Sequence, residues 1–239
     1  MRIALLGYGK MGQTIAKLAI ERNHEIAVII DPLNGEEFSQ QSTDDIDVAI
    51  EFTRPEAAFQ NIRNCIRWNV PVVSGTTGWL DRLDEIDQEL KDHPDASFFY
   101  SSNYSLGVNV FFEINRRLAQ LMNPLDQYTV KMEEIHHTQK LDAPSGTAIT
   151  LAEGILENIN RMKSWKNDAS DNPSDLEIIS KRIDAVPGTH TIQYTSEIDD
   201  IEITHTAHSR KGFALGAILA AEYIVDKKGR HSMQDLLNL

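Results

Sequence analysis

The first part of the chain alternates between short apolar runs and stretches with helical apolar spacing, and this alternation most constrains the fold. The apolar runs predict strands over residues 2–6, 25–30, 48–52, 70–74 and 96–100. Helices are predicted between them over residues 11–20, 55–68 and 80–90. Strands joined by helical crossovers indicate a parallel sheet covered on both faces. We therefore predict an α/β fold that begins with a Rossmann-type doubly wound parallel sheet.

The pattern changes in the second part of the chain, which indicates another domain. Helices are predicted over residues 108–122 and 147–160, with a strand over 128–136. The polar stretch 161–175 lacks periodicity and is interpreted as a solvated loop. Further strands then follow with only short turns between them, over residues 177–185, 190–197 and 201–208. Consecutive strands without helices indicate a mixed or antiparallel sheet in an α+β domain.

An apolar, alanine-rich helix over residues 213–225 is predicted to pack back on the first domain. The predicted first domain therefore comprises residues 1–103 and 213–239, and the second comprises residues 104–212. The chain of 239 residues is long enough for two modest domains.

The composition is typical of a globular cytoplasmic protein, with 41% hydrophobic and 25% charged residues. No apolar run approaches the roughly 20 residues that cross a bilayer, so no membrane association is expected. The net charge of −13 argues against nucleic-acid binding, which needs clustered Lys and Arg. The single cysteine, Cys65, excludes an internal disulfide and fits a reducing cytoplasm. Its apolar neighbours indicate a buried, inert thiol.

A glycine-rich loop follows the first predicted strand and opens the first predicted helix. In the pattern Gly7-x-Gly9-x-x-Gly12, the glycines permit a tight turn, close approach of a pyrophosphate and close packing of helix on strand. Asp31 ends the next strand, where an acid accepts hydrogen bonds from an adenosine ribose. An ordinary Gly-rich turn and a turn-starting aspartate are the alternatives. The joint spacing favours a bound dinucleotide.

Asp31 also bears on which dinucleotide is used. Its carboxylate would repel a ribose 2′-phosphate, and Pro32 occupies the position where an arginine would help most. We therefore expect NADH to be preferred to NADPH.

Two later strands end in small polar loops, where ligands of a parallel sheet collect. Gly75 and Thr76 are positioned to approach a nicotinamide ribose, and Asn103 and Tyr104 to contact the nicotinamide or position a substrate. Each loop taken alone is an ordinary turn. Their place in the strand order makes them candidates.

Residues 136–147 gather the groups that a reaction on a small anion needs. His136 and His137 end a strand, so their side chains are expected on opposite sides, and an imidazole titrates near neutrality. Lys140 adds a cation, and Ser145 or Thr147 can cap the helix that follows. The amides of Gly146 and Thr147 would then be available to a carboxylate.

The same groups have two alternative uses. Paired histidines bind zinc in some proteins, but this chain offers no Cys partner and no HExxH spacing, so no metal is expected. In the other alternative, Lys140 and the histidines are ordinary surface residues, and the Pro-Ser-Gly segment only begins a helix. His205 and His208 are interpreted as structural or inter-subunit residues rather than catalytic ones.

The chain resembles the 4-hydroxy-tetrahydrodipicolinate reductase (dihydrodipicolinate reductase) family over nearly its whole length. The resemblance is carried by the glycine loop, Gly75-Thr76-Thr77-Gly78, Ser102-Asn103-Tyr104-Ser105, the segment from His136 to Thr147, and Ser209-Arg210 with the Phe213–Ala217 run. It implies a cytoplasmic homotetramer of lysine and diaminopimelate biosynthesis, in which the second domain binds substrate and forms the oligomer. NAD(P)H would give a hydride to a cyclic dicarboxylate imine.

The resemblance also implies residue roles. His136 matches the family's proton donor and Lys140 its partner in catalysis, and the substrate contacts match His137, Gly146 and Thr147. The cofactor contacts match Gly7, Tyr8, Gly9, Lys10, Met11, Gly12, Asp31, Gly75, Thr76, Thr77, Ser101, Ser102, Asn103 and Tyr104.

Two competing hypotheses are distinguishable by assay. The chain would be another NAD-dependent dehydrogenase acting on a small amino or keto acid, which a substrate panel would reveal. Alternatively it would be a nucleotide-sensing protein that keeps the fold without turnover. The intact His136 and Lys140 argue against the second of these.

Overall fold

The computed structural model describes residues 1–31, 38–43, 45–209 and 211–239. The chain divides into two compact units, the first formed by Met1–Leu106 with Lys211–Leu239 and the second by Gly107–Arg210. Pro32, which bears on the expected NADH preference, and Arg210, which belongs to the family resemblance, lie outside the described residues.

The first unit is built on a six-stranded sheet in which every neighbouring pair of strands is parallel. Its strands are β1 (Arg2–Leu6), β2 (Glu25–Ile30), β3 (Val48–Glu51), β4 (Val72–Ser74), β5 (Ser97–Tyr100) and β11 (Gly229–His231). Its helices are α1 (Lys10–Glu21), α2 (Pro55–Arg67), α3 (Leu83–Asp92), α6 (Lys211–Ile224) and α7 (Met233–Leu237). The strand order is β11-β5-β4-β3-β1-β2.

Both faces of this sheet are covered, as predicted for a doubly wound fold. Ile3 and Leu5 of β1 pack in one cluster with α1 and α6. Ala4 and Leu6 point to the other face and pack with α2 and α3. Because successive strand residues alternate between faces, a strand buried on both sides reads as a continuous apolar run. That run is the signal from which β1 was predicted.

Some boundaries in the first unit differ from prediction. β4 begins at Val72 instead of residue 70, and Pro71 just before it has no N–H for a ladder. The predicted helix over 80–90 starts as a 3₁₀ turn, Leu80–Arg82, before α3. β11 was not predicted because its three residues contain no apolar run, and α7 was not predicted because five residues are too few for helical periodicity to register.

The second unit contains a five-stranded mixed sheet in the order β10-β9-β6-β8-β7. β6 pairs antiparallel with β9 and parallel with β8, which confirms the predicted mixed sheet. The strands are β6 (Thr129–His136), β7 (Ser164–Lys166), β8 (Asp175–Arg182), β9 (Gly188–Thr195) and β10 (Asp200–Ala207), and the helices are α4 (Leu106–Met122) and α5 (Gly146–Leu156).

One face of this sheet carries the core and the other is polar. Val130 and Met132 of β6 pack with residues of α4 and α5, whereas Lys131 and Glu133 turn to the opposite face. That alternation matches the pattern from which β6 was predicted. No helix in the described part of the chain is long and apolar enough to span a bilayer.

The predicted solvated loop over 161–175 is wrong in part. It contains the edge strand β7, and β8 begins at Asp175. Lys163 donates its amide to the Ser174 carbonyl at 2.8 Å, and the Ser164 hydroxyl donates to Asp175 at 2.6 Å. The strand escaped prediction because three residues, two of them polar, show no alternation.

Candidate active site

The glycine loop after β1 has the geometry of a tight strand-to-helix turn. Gly7 has a φ of +94°, and a Cβ there would lie 2.3 Å from the Phe52 carbonyl oxygen. A Cβ on Gly12 would lie 2.2 Å from the Gly7 carbonyl oxygen. A Cβ on Gly9 would meet no atom within 4 Å. The loop is therefore tightly packed against backbone atoms at Gly7 and Gly12, and the space beside Gly9 is open.

Asp31 follows β2 beside this loop. The Gly7 amide donates to the Ile30 carbonyl at 2.7 Å, which ties the loop to the end of β2. The strand order reverses between β1 and β3, and ligands of such sheets bind outside the carboxyl ends at that point. Gly7 and Asp31 thus lie at the carboxyl end of the sheet, beside the point where the strand order reverses. Tyr8 is half-buried, and Lys10 is exposed.

Glu51, which the sequence analysis missed, organises the neighbouring strand ends. Its carboxylate is fully buried and accepts hydrogen bonds from Ser74 Oγ at 2.6 Å, Thr76 Oγ1 at 3.0 Å and the Thr53 amide at 2.8 Å. Burial raises the pKa of this carboxyl, and the hydrogen bonds oppose that effect. Glu51 therefore holds the loop of Gly75, Thr76 and Thr77 in place.

The loop after β5 holds its own shape through side-chain hydrogen bonds. Ser101 Oγ donates to the Asn103 carbonyl at 2.7 Å, and Asn103 Oδ1 accepts from the Ser105 amide at 2.9 Å. Ser102 is exposed. Tyr104 is 2% exposed and donates its hydroxyl to the Ser74 carbonyl at 2.7 Å. The Tyr104 ring therefore belongs to the core, and a ligand contact through it is limited to backbone atoms.

In the second unit, two rows of side chains cross the inward face of the sheet near the end of β6. Register places Ser180 and His190 on either side of Glu134, and Arg182 beside His136. His136 and His190 are buried, with ring centroids 5.1 Å apart in an edge-to-face arrangement. Cross-strand neighbours on one face interact directly, so these polar residues form one cluster.

Glu134 lies at the centre of the cluster and is fully buried. It accepts hydrogen bonds from the Ser145 amide at 3.1 Å and from Ser180 Oγ at 2.7 Å, and Arg182 Nη2 lies 3.4 Å away. Its Oε2 atom is 3.4 Å from His136 Nδ1. Burial alone would raise the Glu134 pKa, but the hydrogen bonds from Ser145 and Ser180 and the nearby His136 hold it below its ordinary value.

The two histidines are shifted towards the neutral form. Burial is the largest cause of the lowered His136 pKa, and the Glu134 carboxylate partly offsets it. Lys140 and Arg182 lower the pKa of His136 further, whereas Asp142 raises it. Burial, followed by the neighbouring His136, lowers the pKa of His190 to about 4.

Lys140 lies in the loop after β6, where Arg182 holds the backbone. Arg182 donates to the carbonyl oxygens of Lys140 at 3.3 Å and Asp142 at 2.6 Å. Lys140 Nζ contacts both oxygens of Asp142, at 2.9 and 2.8 Å. The Lys140 ammonium group is thus held locally by the Asp142 carboxylate.

The predicted cap of α5 is confirmed. Ser145 is the residue before the helix, and its hydroxyl oxygen accepts from the Ala148 amide at 3.1 Å. Gly146 and Thr147 occupy the first two helical positions, Gly146 exposed and Thr147 half-buried. The first turn of a helix favours anions through its N–H groups and dipole. The N-terminal end of α5 therefore lies next to Glu134.

A cavity of about 320 Å³ opens beside His137 in the second unit. Its described lining also includes Gln139, Ala185, Val186, Pro187, Asp184 and Ser209. His136 and His137, neighbours at the end of β6, differ in burial, the first buried and the second half-buried.

One trio in the described part of the chain has metal-ligand chemistry. Potential ligand atoms of Glu134, His136 and His190 lie within 4.8 Å of one another. The Glu134 oxygens, however, are already engaged by Ser145 and Ser180, and the Arg182 guanidinium adds a positive charge beside them. A second cation would displace these donors, so the arrangement fits a hydrogen-bonded network better than a metal site.

The sequence analysis therefore identified the groups at the end of β6 but missed their supports. Glu134 had a usable signal, because period-2 spacing puts it on the same face as Met132 and His136. An acid on an apolar face needs a partner. His190 and Arg182 gave no local signal, since only strand pairing brings them to Glu134. His205 contacts Phe111, with centroids 5.9 Å apart, which supports its structural interpretation.

Two family models match adjoining parts of the chain. The model described as dihydrodipicolinate reductase, N-terminus, matches residues 1–104, and that described as dihydrodipicolinate reductase, C-terminus, matches residues 107–237.

Curated relatives and solved structures agree with that match. The 4-hydroxy-tetrahydrodipicolinate reductase of Christiangramia forsetii is 53% identical and covers 100% of this chain and 98% of its own. That of Staphylococcus aureus (strain bovine RF122 / ET3-1) is 35% identical, covering 95% and 96%. A dipicolinate-bound dihydrodipicolinate reductase from Paenisporosarcina sp. TG-14 aligns with a TM-score of 0.79 at 23% identity, over 98% of both chains. An aspartate dehydrogenase from Thermotoga maritima reaches only 0.51 at 14% identity, over 93% and 95%, and shows a shared fold alone.

Proposed function

The chain belongs to the dihydrodipicolinate reductase family, and we propose that it reduces 4-hydroxy-tetrahydrodipicolinate to tetrahydrodipicolinate with NAD(P)H. The reaction is a step of lysine and diaminopimelate biosynthesis. The observation that carries the proposal is the cluster at the end of β6, where a buried imidazole, an ammonium group and a helix N-terminus are joined through Glu134 and Arg182.

The substrate is a small dicarboxylate, and the second unit offers matching groups. Lys140 supplies a positive charge, and Gly146 and Thr147 supply the first turn of α5 for a carboxylate. His137 lines the adjacent cavity and is placed to contact the same ligand. Holding the carboxylates at two points orients the ring for reaction.

The carboxyl ends of the strands in the first unit fit a dinucleotide. The space above Gly9 would let a pyrophosphate approach the backbone, and we assign Asp31 to a ribose. The remaining contacts are assigned to Tyr8, Lys10 and Met11 of the loop, to Gly75, Thr76 and Thr77, and to Ser101, Ser102, Asn103 and Tyr104. When bound, the reduced nicotinamide supplies the hydride.

His136 is the proposed proton donor. Its imidazole is buried beside a carboxylate and two cationic side chains, so its protonation depends on the balance between them. Proton donation by a positioned side chain contributes about 10²–10⁴-fold to rate. Lys140 stabilises negative charge on the substrate while the proton is transferred.

The activity is tested by following NADH oxidation in a coupled assay, in which dihydrodipicolinate synthase forms the unstable substrate from pyruvate and aspartate semialdehyde. We expect turnover by the wild-type chain and a fall in kcat of about 10²–10⁴-fold for His136→Ala. Lys140→Ala should raise KM and lower kcat. A wild-type chain that oxidises NADH only with amino or keto acids would overturn the proposal, and near-normal kcat in His136→Ala would remove that residue from its role.

We propose that NADH is preferred to NADPH, because the Asp31 carboxylate would meet the 2′-phosphate. The measurement is kcat/KM with each cofactor, for the wild type and for Asp31→Asn. Asp31→Asn should narrow the difference by improving use of NADPH. Equal or better efficiency of the wild type with NADPH would contradict the preference.

We also propose a cytoplasmic homotetramer, in line with the reducing environment that one unpaired cysteine suits. The polar face of the mixed sheet supports assembly, since it carries a groove of about 260 Å³ along β6, β8, β9 and β10. Thr191→Arg, in that groove, should lower the molar mass measured by light scattering. Glu153→Arg, on the exposed side of α5, is the control and should leave the mass unchanged.

A further inference from the structure

The role of Glu134 goes beyond that of a buried partner, because it touches both halves of the proposed substrate site. On one side its Oε2 atom lies 3.4 Å from His136 Nδ1. On the other, its carboxylate accepts from the amide of Ser145, the residue that caps α5. Among the described residues, Glu134 is the carboxylate that contacts both His136 and Ser145.

The carboxylate cannot move freely. Glu134 is 0% exposed, and Ser180 Oγ donates to its Oε1 atom at 2.7 Å. Arg182 Nη2 approaches the same atom at 3.4 Å, while the guanidinium also binds the backbone of the loop that carries Lys140. A buried charge persists only where such donors compensate for lost water. The Glu134 carboxylate is therefore ionised and held in one position.

The two ring nitrogens of His136 have different surroundings. Nδ1 is buried and faces Glu134 without a well-aligned hydrogen bond. Nε2 lies on the side of Gly188, where an added Cβ would come within 3.1 Å of it. Since the carboxylate attracts the proton-bearing nitrogen, it favours a proton on Nδ1 in the neutral ring.

Resting on the proposed function, we propose that Glu134 is the positioning residue of the reaction: it orients the His136 imidazole through Nδ1, leaves Nε2 to give the proton, and fixes the start of α5 relative to that ring. It does not touch the substrate. Its effect passes through His136 and Ser145.

Removal of its charge has a definite consequence for His136. The charged or titratable groups that influence the ring are Glu134 on β6, Arg182 on β8, His190 on β9, and Lys140 and Asp142 in the following loop. His190 is neutral near pH 7. Glu134 and Asp142 therefore favour the protonated His136 ring, whereas burial, Lys140 and Arg182 oppose its protonation. Without Glu134, the pKa of His136 falls further, so the protonated form is lost at lower pH.

The test compares Glu134→Gln with Glu153→Gln. Glu153 lies on the exposed side of α5, so its variant removes an equal charge outside the cluster. For Glu134→Gln we expect the alkaline limb of kcat/KM to move down by about one pH unit, with an approximately tenfold loss at a pH of about 8. The dissociation constant of dipicolinate should change much less than kcat/KM. Glu153→Gln should behave as the wild type.

A second measurement needs neither a variant nor turnover. In wild-type protein labelled with ¹⁵N-histidine, the neutral His136 ring should carry its proton on Nδ1, and its titration should follow the alkaline limb of kcat/KM. The Nε2–H tautomer, or an unchanged pH profile in folded Glu134→Gln, overturns the proposal for Glu134. A wild type that shows the expected tautomer but does not turn over the substrate instead overturns the proposed function.

Discussion

Gly9 and Gly12 belong to one loop but are constrained by different neighbours. A Cβ on Gly12 would come within 2.2 Å of a backbone oxygen, so Gly12→Ala should destabilise the first unit itself. A Cβ on Gly9 meets no protein atom within 4 Å, so Gly9→Ala should leave the unfolding temperature near that of the wild type. If a pyrophosphate occupies that space, Gly9→Ala should raise the KM for NADH about tenfold.

The two glycine variants are each other's control, measured by thermal unfolding and by NADH kinetics. Unchanged NADH kinetics in Gly9→Ala would show that the cofactor does not approach this residue. A Gly12→Ala protein as stable as the wild type would contradict the close packing of loop and strand.

His190 makes the stability of the second unit sensitive to acid. Burial and the neighbouring His136 lower its pKa to about 4, and His205 and Lys140 act in the same direction against Glu134. Because the folded value lies below the unfolded value of about 6.5, the unfolded chain binds more protons between these limits. The free energy of unfolding should therefore fall as pH decreases through this window, by up to roughly 3 kcal/mol from this residue.

Urea unfolding at a series of pH values measures this effect. His190→Gln removes the titrating group and keeps a polar side chain near Ser145, so its stability should depend less on pH over the same window. Parallel pH dependences for the wild type and His190→Gln would refute the assignment. Other carboxylates titrate in both proteins, and the difference between the two curves isolates His190.

At the residue scale, the sequence predicted the reactive side chains better than the buried residues that hold them in place. His136, Lys140 and Ser145 stand close together in sequence, so a local reading finds them. Glu134 is found only by noticing an acid on an apolar strand face, and Glu51 lies in a fully buried strand that shows no alternation. The partners of both acids come from other strands, and pairing registers are not encoded in local spacing.

At the scale of elements, α5 links helix stability to substrate binding. Ser145→Ala removes the hydroxyl that accepts from the Ala148 amide and lies 3.1 Å from His190 Nε2, but keeps the backbone amide that donates to Glu134. We expect a loss of about 1 kcal/mol in the free energy of unfolding. The KM for the substrate should rise, because the first turn of α5 becomes less ordered.

Ser232→Ala is the matched control, because Ser232 caps α7 in the other unit through Asp235. It should cost a similar free energy of unfolding without a change in KM. Equal effects of both variants on KM would mean that Ser145 acts through general stability and not through the site.

Element length and apolar content together decided which elements the sequence predicted, since β4 was found with only three residues because they belong to an apolar run. β1 and β6 were found because five and eight residues display their apolar patterns in full. β7 and β11 have three residues each, and they form only where a longer strand already offers its edge. Such strands are products of tertiary pairing, so no local reading of the chain reveals them.

At the scale of the whole molecule, the family match and the structural division do not coincide. The C-terminal family model spans residues 107–237, whereas the second structural unit ends at Arg210. The remainder, α6 with β11 and α7, packs in the first unit, and Ala217 and Ile218 of α6 lie in the same cluster as Ile3 and Leu5. The alanine-rich composition of α6 predicted this return, since small side chains permit close packing of a helix.

The proposed ligand contacts fall in different units, so two ligands should stabilise the protein through separable residues. A ligand that binds only the folded state raises stability by about 2.7 kcal/mol at a hundred times its Kd. We expect NADH and dipicolinate each to raise the unfolding temperature of the wild type. Lys140→Met should lose most of the shift with dipicolinate and keep that with NADH, because Lys140 lies in the substrate cluster. Gly9→Ala should show the reverse pattern, and Glu153→Gln should keep both shifts. If Lys140→Met abolished the NADH shift instead, the division of the two ligands between these groups of residues would be wrong.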